Sequence, residues 1–246
     1  MIDNEFSPSA IQATTFLTDV VLVDVVNFTR LSDEDQLVTG MMINDGIKDF
    51  LGILPEHCLL HLNEIILSII PTGDGFYVIL NPQLAGYGPL FALSLRNDLL
   101  SVSKRRGGLY EGIRVVIHLG TALPFTDATG RKNYVGHGLN ECERLIKNRS
   151  IRDKAIRFTG DKNYVLVSRD SWNQFNICFP MQEFGDFWKM LDFRVSDEFE
   201  FIDDHGRKHI ARVIEISRQI SIPPPRPRDA LDRIKRSANG SRVASV

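Results

Sequence analysis

Two short acidic stretches carry the residues best placed to do chemistry. In Val20-Val21-Leu22-Val23-Asp24-Val25-Val26-Asn27-Phe28-Thr29, a carboxylate sits inside an apolar run of strand length, and such a run reads as a strand buried on both faces. In Ile69-Ile70-Pro71-Thr72-Gly73-Asp74-Gly75-Phe76, a second carboxylate sits in a Gly-Asp-Gly tip between two β-rich runs, the pattern of a tight hairpin turn. A buried Asp without a partner is costly, and a hard divalent cation shared with a substrate's phosphates offsets that cost. Asp24 and Asp74 therefore read as a metal-dependent phosphoryl-transfer pair.

The elements that must position this pair follow from the chain around it. The first strand is expected over Val20–Phe28, and Ser32 followed by Asp33, Glu34 and Asp35 is an N-cap with acids in the first helical turn, predicting a helix over Asp33–Leu51. Pro55 begins a connector. Glu64–Ile70 and Phe76–Leu80 form the hairpin with Asp74 at its tip. A second helix is expected over Pro89–Arg106, its apolar face made by Leu90, Leu93, Leu95, Leu99 and Leu100, with Lys104, Arg105 and Arg106 before Gly107 as the stop. Further expectations are a strand at Ile113–Leu119, a loop at Asp127–Lys132, a helix at Gly138–Lys147 and a strand at Tyr164–Val167. A late hairpin is expected over Phe199–Ile216, turning at Asp203-Asp204-His205-Gly206. This order is α+β with mixed pairing, without regular βαβ alternation.

Length and composition narrow the class. With 246 residues, 43% of them hydrophobic, the chain can fill one core, and one domain is expected over residues 1–220. Residues 221–246, opening with Pro223-Pro224-Pro225-Arg226-Pro227, read as an extended or disordered tail. A net charge of −2 from 29 basic and 31 acidic side chains gives no overall field for nucleic acid or an anionic membrane. Cys58, Cys142 and Cys178 are odd in number and widely spaced, which suggests neither a disulfide framework nor a thiolate zinc site. The acidic N-terminus has no basic segment leading into an apolar one, and no apolar run approaches the ~18 residues of a membrane span. The expectation is a soluble, cytoplasmic protein.

Four segments stand in one order: Asp24-x-x-x-Phe28-Thr29, then Gly73-Asp74-Gly75, then Ile113-Arg114-Val115-Val116-Ile117-His118-Leu119-Gly120, and Gly136-His137-Gly138-Leu139-Asn140-Glu141-Cys142-Glu143-Arg144-Leu145. Together they resemble the catalytic domain of class III nucleotidyl cyclases, whose segments read roughly D-[IV]-x-x-F-T, GD, R-[VI]-G-I-H-x-G and W-G-x-x-V-N-x-A-x-R-L. The likeness spans Val20–Ile216. It implies a palm-type, ferredoxin-like mixed sheet flanked by helices, with two divalent cations, Mn²⁺ or Mg²⁺, held by Asp24, Asp74 and the Val25 carbonyl. It also implies phosphate contacts from Arg114 and from the Asn27, Phe28 and Thr29 amides, the latter fitting the general affinity of helix N-termini for phosphate. Asn140 and Arg144, four apart and so on one helix face, would act on the ribose and on the charge of the α-phosphate. Arg207 or Lys208 of the late hairpin would meet the triphosphate. In the family the acids come from one subunit and the Asn and Arg from the other, which implies a head-to-tail homodimer with interfacial sites.

The base-reading positions depart from the adenylyl pattern. A Lys four residues before the second metal acid and an Asp three before the Gly of the W-G segment are replaced by Ile70 and Asn133. An aliphatic residue cannot donate to a purine nitrogen, and an unmet partner in a buried site costs about 1–3 kcal/mol. The Asn amide suits uracil's N3–H and O4 or, flipped, cytosine's N3 and N4 amine. The chain resembles in this the pyrimidine cyclases of bacterial antiphage (Pycsar-type) systems, which implies UTP, with CTP as alternative, and a downstream effector activated by the cyclic nucleotide. An adenylate or guanylate cyclase, or a cyclase-like receptor domain without turnover, are the other readings. His57 with His61, and His205 with His209, are spaced by four but lack a third ligand, so surface or packing roles are expected. His118 is expected to be a packed strand residue.

Overall fold

The computed structural model describes residues 15–53, 65–105, 111–180, 192–203 and 206–216. The connector at Pro55, the pair His57 and His61, Cys58, His205 and the tail from residue 221 lie outside them.

Strand β1 (Phe16–Val25) is the centre of the sheet, with eight consecutive buried residues from Thr18 to Val25. Its β-branched run serves two cores at once: Val21, Val23 and Val25 enter one cluster, and Val20 and Leu22 the other, as the two-residue period of a strand requires. Antiparallel to it lie β3 (Gly75–Leu80), whose hairpin partner is β2 (Ile66–Pro71), and β4 (Ile113–Thr126). The sheet runs β2-β3-β1-β4-β6-β9-β7, with β6 (Tyr164–Ser168) parallel to β4, and with β7 (Phe193–Val195) and β8 (Phe199–Ile202) both antiparallel to β9 (Lys208–Ile216). Strand β5 (Lys132–Val135) pairs with the outer half of β4.

Helices α1 (Asp33–Ile53) and α2 (Gly88–Arg105) cover one face of the sheet, where Ile43, Phe91, Leu95 and Leu99 join the core. The Ser32 hydroxyl accepts from the Asp35 amide at 3.2 Å, the expected cap of α1. Helices α3 (His137–Lys147) and α4 (Arg149–Thr159) cover the other face through Cys142, Leu145, Ile151 and Ala155. Helix α5 (Arg169–Cys178) follows β6 after the cap Ser168. The buried Asp19 carboxylate ties these layers together, accepting from the Gly86 and Gly88 amides at 2.6 and 3.0 Å and from the Ser171 hydroxyl at 3.1 Å. Burial pushes its carboxyl above the usual range while those three donors pull it down.

The α+β, mixed-sheet, one-domain expectation holds, and several boundaries move. The first strand begins at Phe16 and ends at Val25 instead of Phe28, because Asn27 takes a left-handed φ of 61° and turns the chain into a 3-10 turn at Phe28–Arg30. The strand expected to end at Leu119 continues to Thr126 because Phe16, Leu17 and Thr18 of β1 pair with Ala122, Thr121 and Gly120, and β5 pairs with the rest. Strands β5 and β7 and helices α4 and α5 were not expected. In α4 only Ile151 and Ala155 are buried among mostly charged neighbours, too few apolar positions to announce a helix.

Candidate active site

Asp24 lies near the C-terminal end of β1, opposite Gly75 on β3 and Arg114 on β4, and it is 8% exposed. The hairpin closes through Thr72 N–H to Gly75 carbonyl at 2.9 Å, and the Val25 amide donates to the Asp74 carbonyl at 3.0 Å. Gly75 is required by a close approach, since a Cβ there would stand 1.8 Å from the Val23 carbonyl oxygen. The exposed Asp74 side chain is thereby brought beside the end of β1. Asp24 and Asp74 line one cavity of about 290 Å³, together with Thr72, Arg114, Glu143, Lys147 and Arg152.

The charges in this cavity are coupled. Burial raises the Asp24 carboxyl above its ordinary value; Arg114 opposes this, and the neighbouring Asp74 charge adds to it. The Arg114 Nε stands 2.5 Å from Asp24 Oδ2, and its Nη2 meets the same oxygen. The expected phosphate ligand is thus a half-buried residue tied to the first acid, not a solvated strand-end arginine. Because both nitrogens use Oδ2, the pair does not require Oδ1. Two carboxylates and the Val25 carbonyl are hard oxygen donors of the kind that hold Mg²⁺ or Mn²⁺, so the residues present fit the expected cations. Among the described residues no group of three or more His, Cys, Asp or Glu side chains is placed to hold a metal, which leaves substrate oxygens and water to complete such a shell.

Helix α3 supplies the second half of the arrangement. Gly120 and Gly138 let it settle on β4, a Cβ at Gly120 falling 2.6 Å from the Gly138 Cα, and the Cys142 thiol reaches the Val20 carbonyl at 3.3 Å. Asn140 and Arg144 line a cavity of about 760 Å³ with Asp203. Glu143 and Lys147 belong to both cavities, so the two adjoin. Arg144 is held in a closed ring: it meets Glu141 Oε1, Glu141 Oε2 stands 2.6 Å from His209 Nδ1, His209 Nε2 stands 3.0 Å from Asp203 Oδ2, and that oxygen stands 3.5 Å from Arg144 Nε. His209 stacks on Phe201 with ring centroids 4.7 Å apart. It is a packing residue, as expected, but one that orients an arginine. Glu141 and Asp203 were not singled out in the sequence.

No protein-family model matches the chain, and no curated protein matches its sequence. Solved structures do. The guanylate cyclase domain of RhGC from Catenaria anguillulae, in complex with GTP, superposes with a TM-score of 0.52 at 16% identity, covering 84% of this chain and 100% of that one. The catalytic core of a rhodopsin-guanylyl cyclase with converted specificity, in complex with ATPαS, gives 0.51 at 15% identity, covering 84% and 99%. The fold is that of a class III nucleotidyl cyclase catalytic domain.

Within the cyclase fold the remaining expected residues divide. Ile70 is half-buried against the cluster of Ile79, Ala122 and Tyr134, and Asn133 is pinned through its Oδ1, which accepts from the Tyr134 amide at 2.8 Å. Asn27, Phe28 and Thr29 follow Asp24 in the chain but do not line its cavity; the Arg30 and Leu31 amides there donate to the Asn27 and Phe28 carbonyls at 2.9 and 3.0 Å. Arg207 and Lys208 line a third cavity of about 280 Å³ beside His118 and His137, sharing no residue with the Asp24 cavity, and Lys208 is paired with Glu200 at 2.7 Å. His118 is a packed strand residue, 7% exposed, and burial lowers its imidazole to about 4. Lys147 of α3 and Arg152 of α4 are cations of the Asp24 cavity that the sequence did not point to.

Proposed function

We propose that this chain is a nucleotidyl cyclase that converts a ribonucleoside triphosphate, UTP in preference to CTP, to its 3′,5′-cyclic monophosphate and pyrophosphate. The observation that carries the reading is the meeting of Asp24 and Asp74 in one cavity of a cyclase fold. In the reaction the 3′-hydroxyl loses its proton, its oxygen bonds to the α-phosphorus, and the bond from that phosphorus to the bridging oxygen breaks as pyrophosphate leaves. Two divalent cations bound by Asp24, Asp74 and the Val25 carbonyl would activate the attacking oxygen and neutralise the triphosphate.

The protein's own groups do the rest. Arg114 opposes the effect of burial on Asp24 and stands ready for a phosphate oxygen, and the Asn27, Phe28 and Thr29 amides serve the β- and γ-phosphates. Asn140 orients the ribose. Arg144 stabilises the charge on the α-phosphate, and because Glu141 and Asp203 fix its guanidinium beforehand, little reorganisation is needed as charge builds. The acids and the Asn–Arg pair act from different subunits of a head-to-tail homodimer, with Arg207 or Lys208 of the late hairpin reaching the partner's triphosphate. Ile70 and Asn133 set the base preference, and the product serves an effector in antiphage defence, as the resemblance to pyrimidine cyclases suggests.

The test is to incubate the purified protein with each of the four ribonucleoside triphosphates and Mn²⁺ or Mg²⁺ and to identify products by mass. Cyclic UMP or cyclic CMP as the main product supports the reading; no cyclic product from any of the four overturns it. A purine cyclase is the second reading, favoured by the GTP and ATPαS found in the two similar structures, and cyclic GMP or cyclic AMP as main product would establish it.

A further inference from the structure

We infer that Arg152 binds the substrate's polyphosphate from the same protomer that supplies the two acids, an assignment that rests on the cyclase reading. The chain from Arg144 to Arg152 reads Arg-Leu-Ile-Lys-Asn-Arg-Ser-Ile-Arg, four cations in nine residues with no acid among them. It contains the junction of α3 and α4, where Asn148 ends one helix and caps the next. The first turn of α4 therefore carries Arg149 and Arg152 and no acidic residue, although the positive end of a helix dipole disfavours cations and attracts anions. A sequence that places its charges against the dipole gains nothing from them locally. It creates a positive region that an anion can fill.

Partnering and burial together single out Arg152 within that region, Arg149 being exposed. Of the cations around the Asp24 cavity, Arg114 is taken by Asp24 and Lys147 by Glu143, while in the adjoining cavity Arg144 is taken by Glu141 and Asp203. Among the described residues Arg152 has no ion pair. Its Nη2 reaches only the Lys147 carbonyl, at 3.5 Å, and its buried Nε has no hydrogen-bond partner. A buried guanidinium nitrogen left unmet is costly, and this one belongs to a side chain that lines the cavity of the two acids and whose charge is felt at Asp24. A phosphate oxygen entering the cavity would meet that donor and the helix terminus together, in the charge-assisted geometry that makes arginine a phosphate ligand. Arg114 can then keep its contact with Asp24 while Arg152 adds a phosphate contact of its own.

The experiment titrates the full chain with inorganic tripolyphosphate in Mg²⁺ buffer by calorimetry, alongside steady-state kinetics with UTP and Mn²⁺, for Arg152→Gln, Arg152→Lys and, as a control on the same helix, Arg157→Gln. The expected result is tripolyphosphate binding weakened at least about tenfold in Arg152→Gln, partly restored in Arg152→Lys and unchanged in Arg157→Gln, with KM for UTP rising more than kcat falls. Arg152→Met, which keeps the aliphatic stem, takes the place of Arg152→Gln if circular dichroism shows that variant unfolded. Unaltered tripolyphosphate binding in Arg152→Gln, an equal loss in Arg157→Gln, or no binding by the unsubstituted protein would overturn the assignment. If tripolyphosphate binds through Arg152 but no triphosphate is cyclised, the cyclase reading fails and the anion site stands; if UTP is cyclised equally well by Arg152→Gln, the reverse holds.

Discussion

Arg114 and Asp24 face each other across the β1–β4 ladder, and the guanidinium meets the carboxylate through two nitrogens at one oxygen. The pair fixes the first acid of the site in place, and Arg114 opposes the burial that raises its carboxyl above the ordinary value. Among the described residues the second acid has no ion pair; it is exposed at the hairpin tip, and its carboxylate accepts from the Thr72 hydroxyl at 3.5 Å.

This asymmetry separates the two acid substitutions. Asp24→Asn and Asp74→Asn should each abolish pyrophosphate release, since each removes a cation ligand. Asp24→Ala should also lower stability by about 1–3 kcal/mol, because Arg114 is left without its partner, whereas Asp74→Ala should change it by less than about 0.5 kcal/mol. Pyrophosphate assays and urea unfolding read the two effects, and full activity in both Asn variants would remove the metal assignment.

Glycine substitutions at the same turn should differ sharply. Gly75→Ala places a methyl group against the Val23 carbonyl and must shift the hairpin, whereas at Gly73, with φ +91°, an added Cβ would meet no atom within 4 Å and the change carries only backbone strain. The expected cost is about 1 kcal/mol for Gly73→Ala and more than about 2 kcal/mol, with loss of activity, for Gly75→Ala. Equal unfolding midpoints for the two would contradict the hairpin geometry.

Mixing inactive Asp74→Ala protein with inactive Arg144→Ala protein should restore activity, because a heterodimer rebuilds one site from its unmutated halves. With free subunit exchange at equal amounts, roughly a quarter of the sites should work. Shown exchange without any recovery would place the two halves in one subunit, where their cavities already adjoin.

Asn133→Ala should lower kcat/KM for the preferred pyrimidine by the order of one lost buried hydrogen-bonded pair, about 1–3 kcal/mol, and relax the base preference. Since the Asn133 oxygen accepts from the Tyr134 amide, its amide NH₂ is the group left to face a base. A competition assay in which ATP or GTP outpaces both UTP and CTP would refute the pyrimidine assignment and leave cyclisation standing.

His118 should mark the acid side of the stability curve. The folded protein keeps its imidazole neutral down to about 4, chiefly through burial, while its ordinary value is 6.5. Between these values the unfolded chain binds a proton that the folded one does not, so stability falls as pH drops from 6.5 towards 4, by up to about 3 kcal/mol from this residue. His118→Leu should flatten that fall relative to the unsubstituted protein in urea melts at pH 7.5 and 5. An identical slope would remove His118 from the acid side of the stability curve.

Local sequence determined the parts of this protein whose physics is local. The β-branched run around Asp24, the Gly-Asp-Gly turn, the Ser32 cap and the four-residue spacing of Asn140 and Arg144 each specify an element or a face by neighbouring residues alone, and apart from the ends of the first strand they stand as read. What the tertiary structure decided depends on residues far apart in the chain. Arg114 became the partner of Asp24, 90 positions away in the chain, only because β1 and β4 pair in one register. Arg144 gained its orientation from Asp203 and His209 on a hairpin that folds back over α3, and Arg152 entered the cavity of the acids on a helix with too few apolar residues to be seen in advance. Spacing along a chain can place side chains on one face of one element. Which charges then face each other, and which is left without a partner, is settled by how the elements pack.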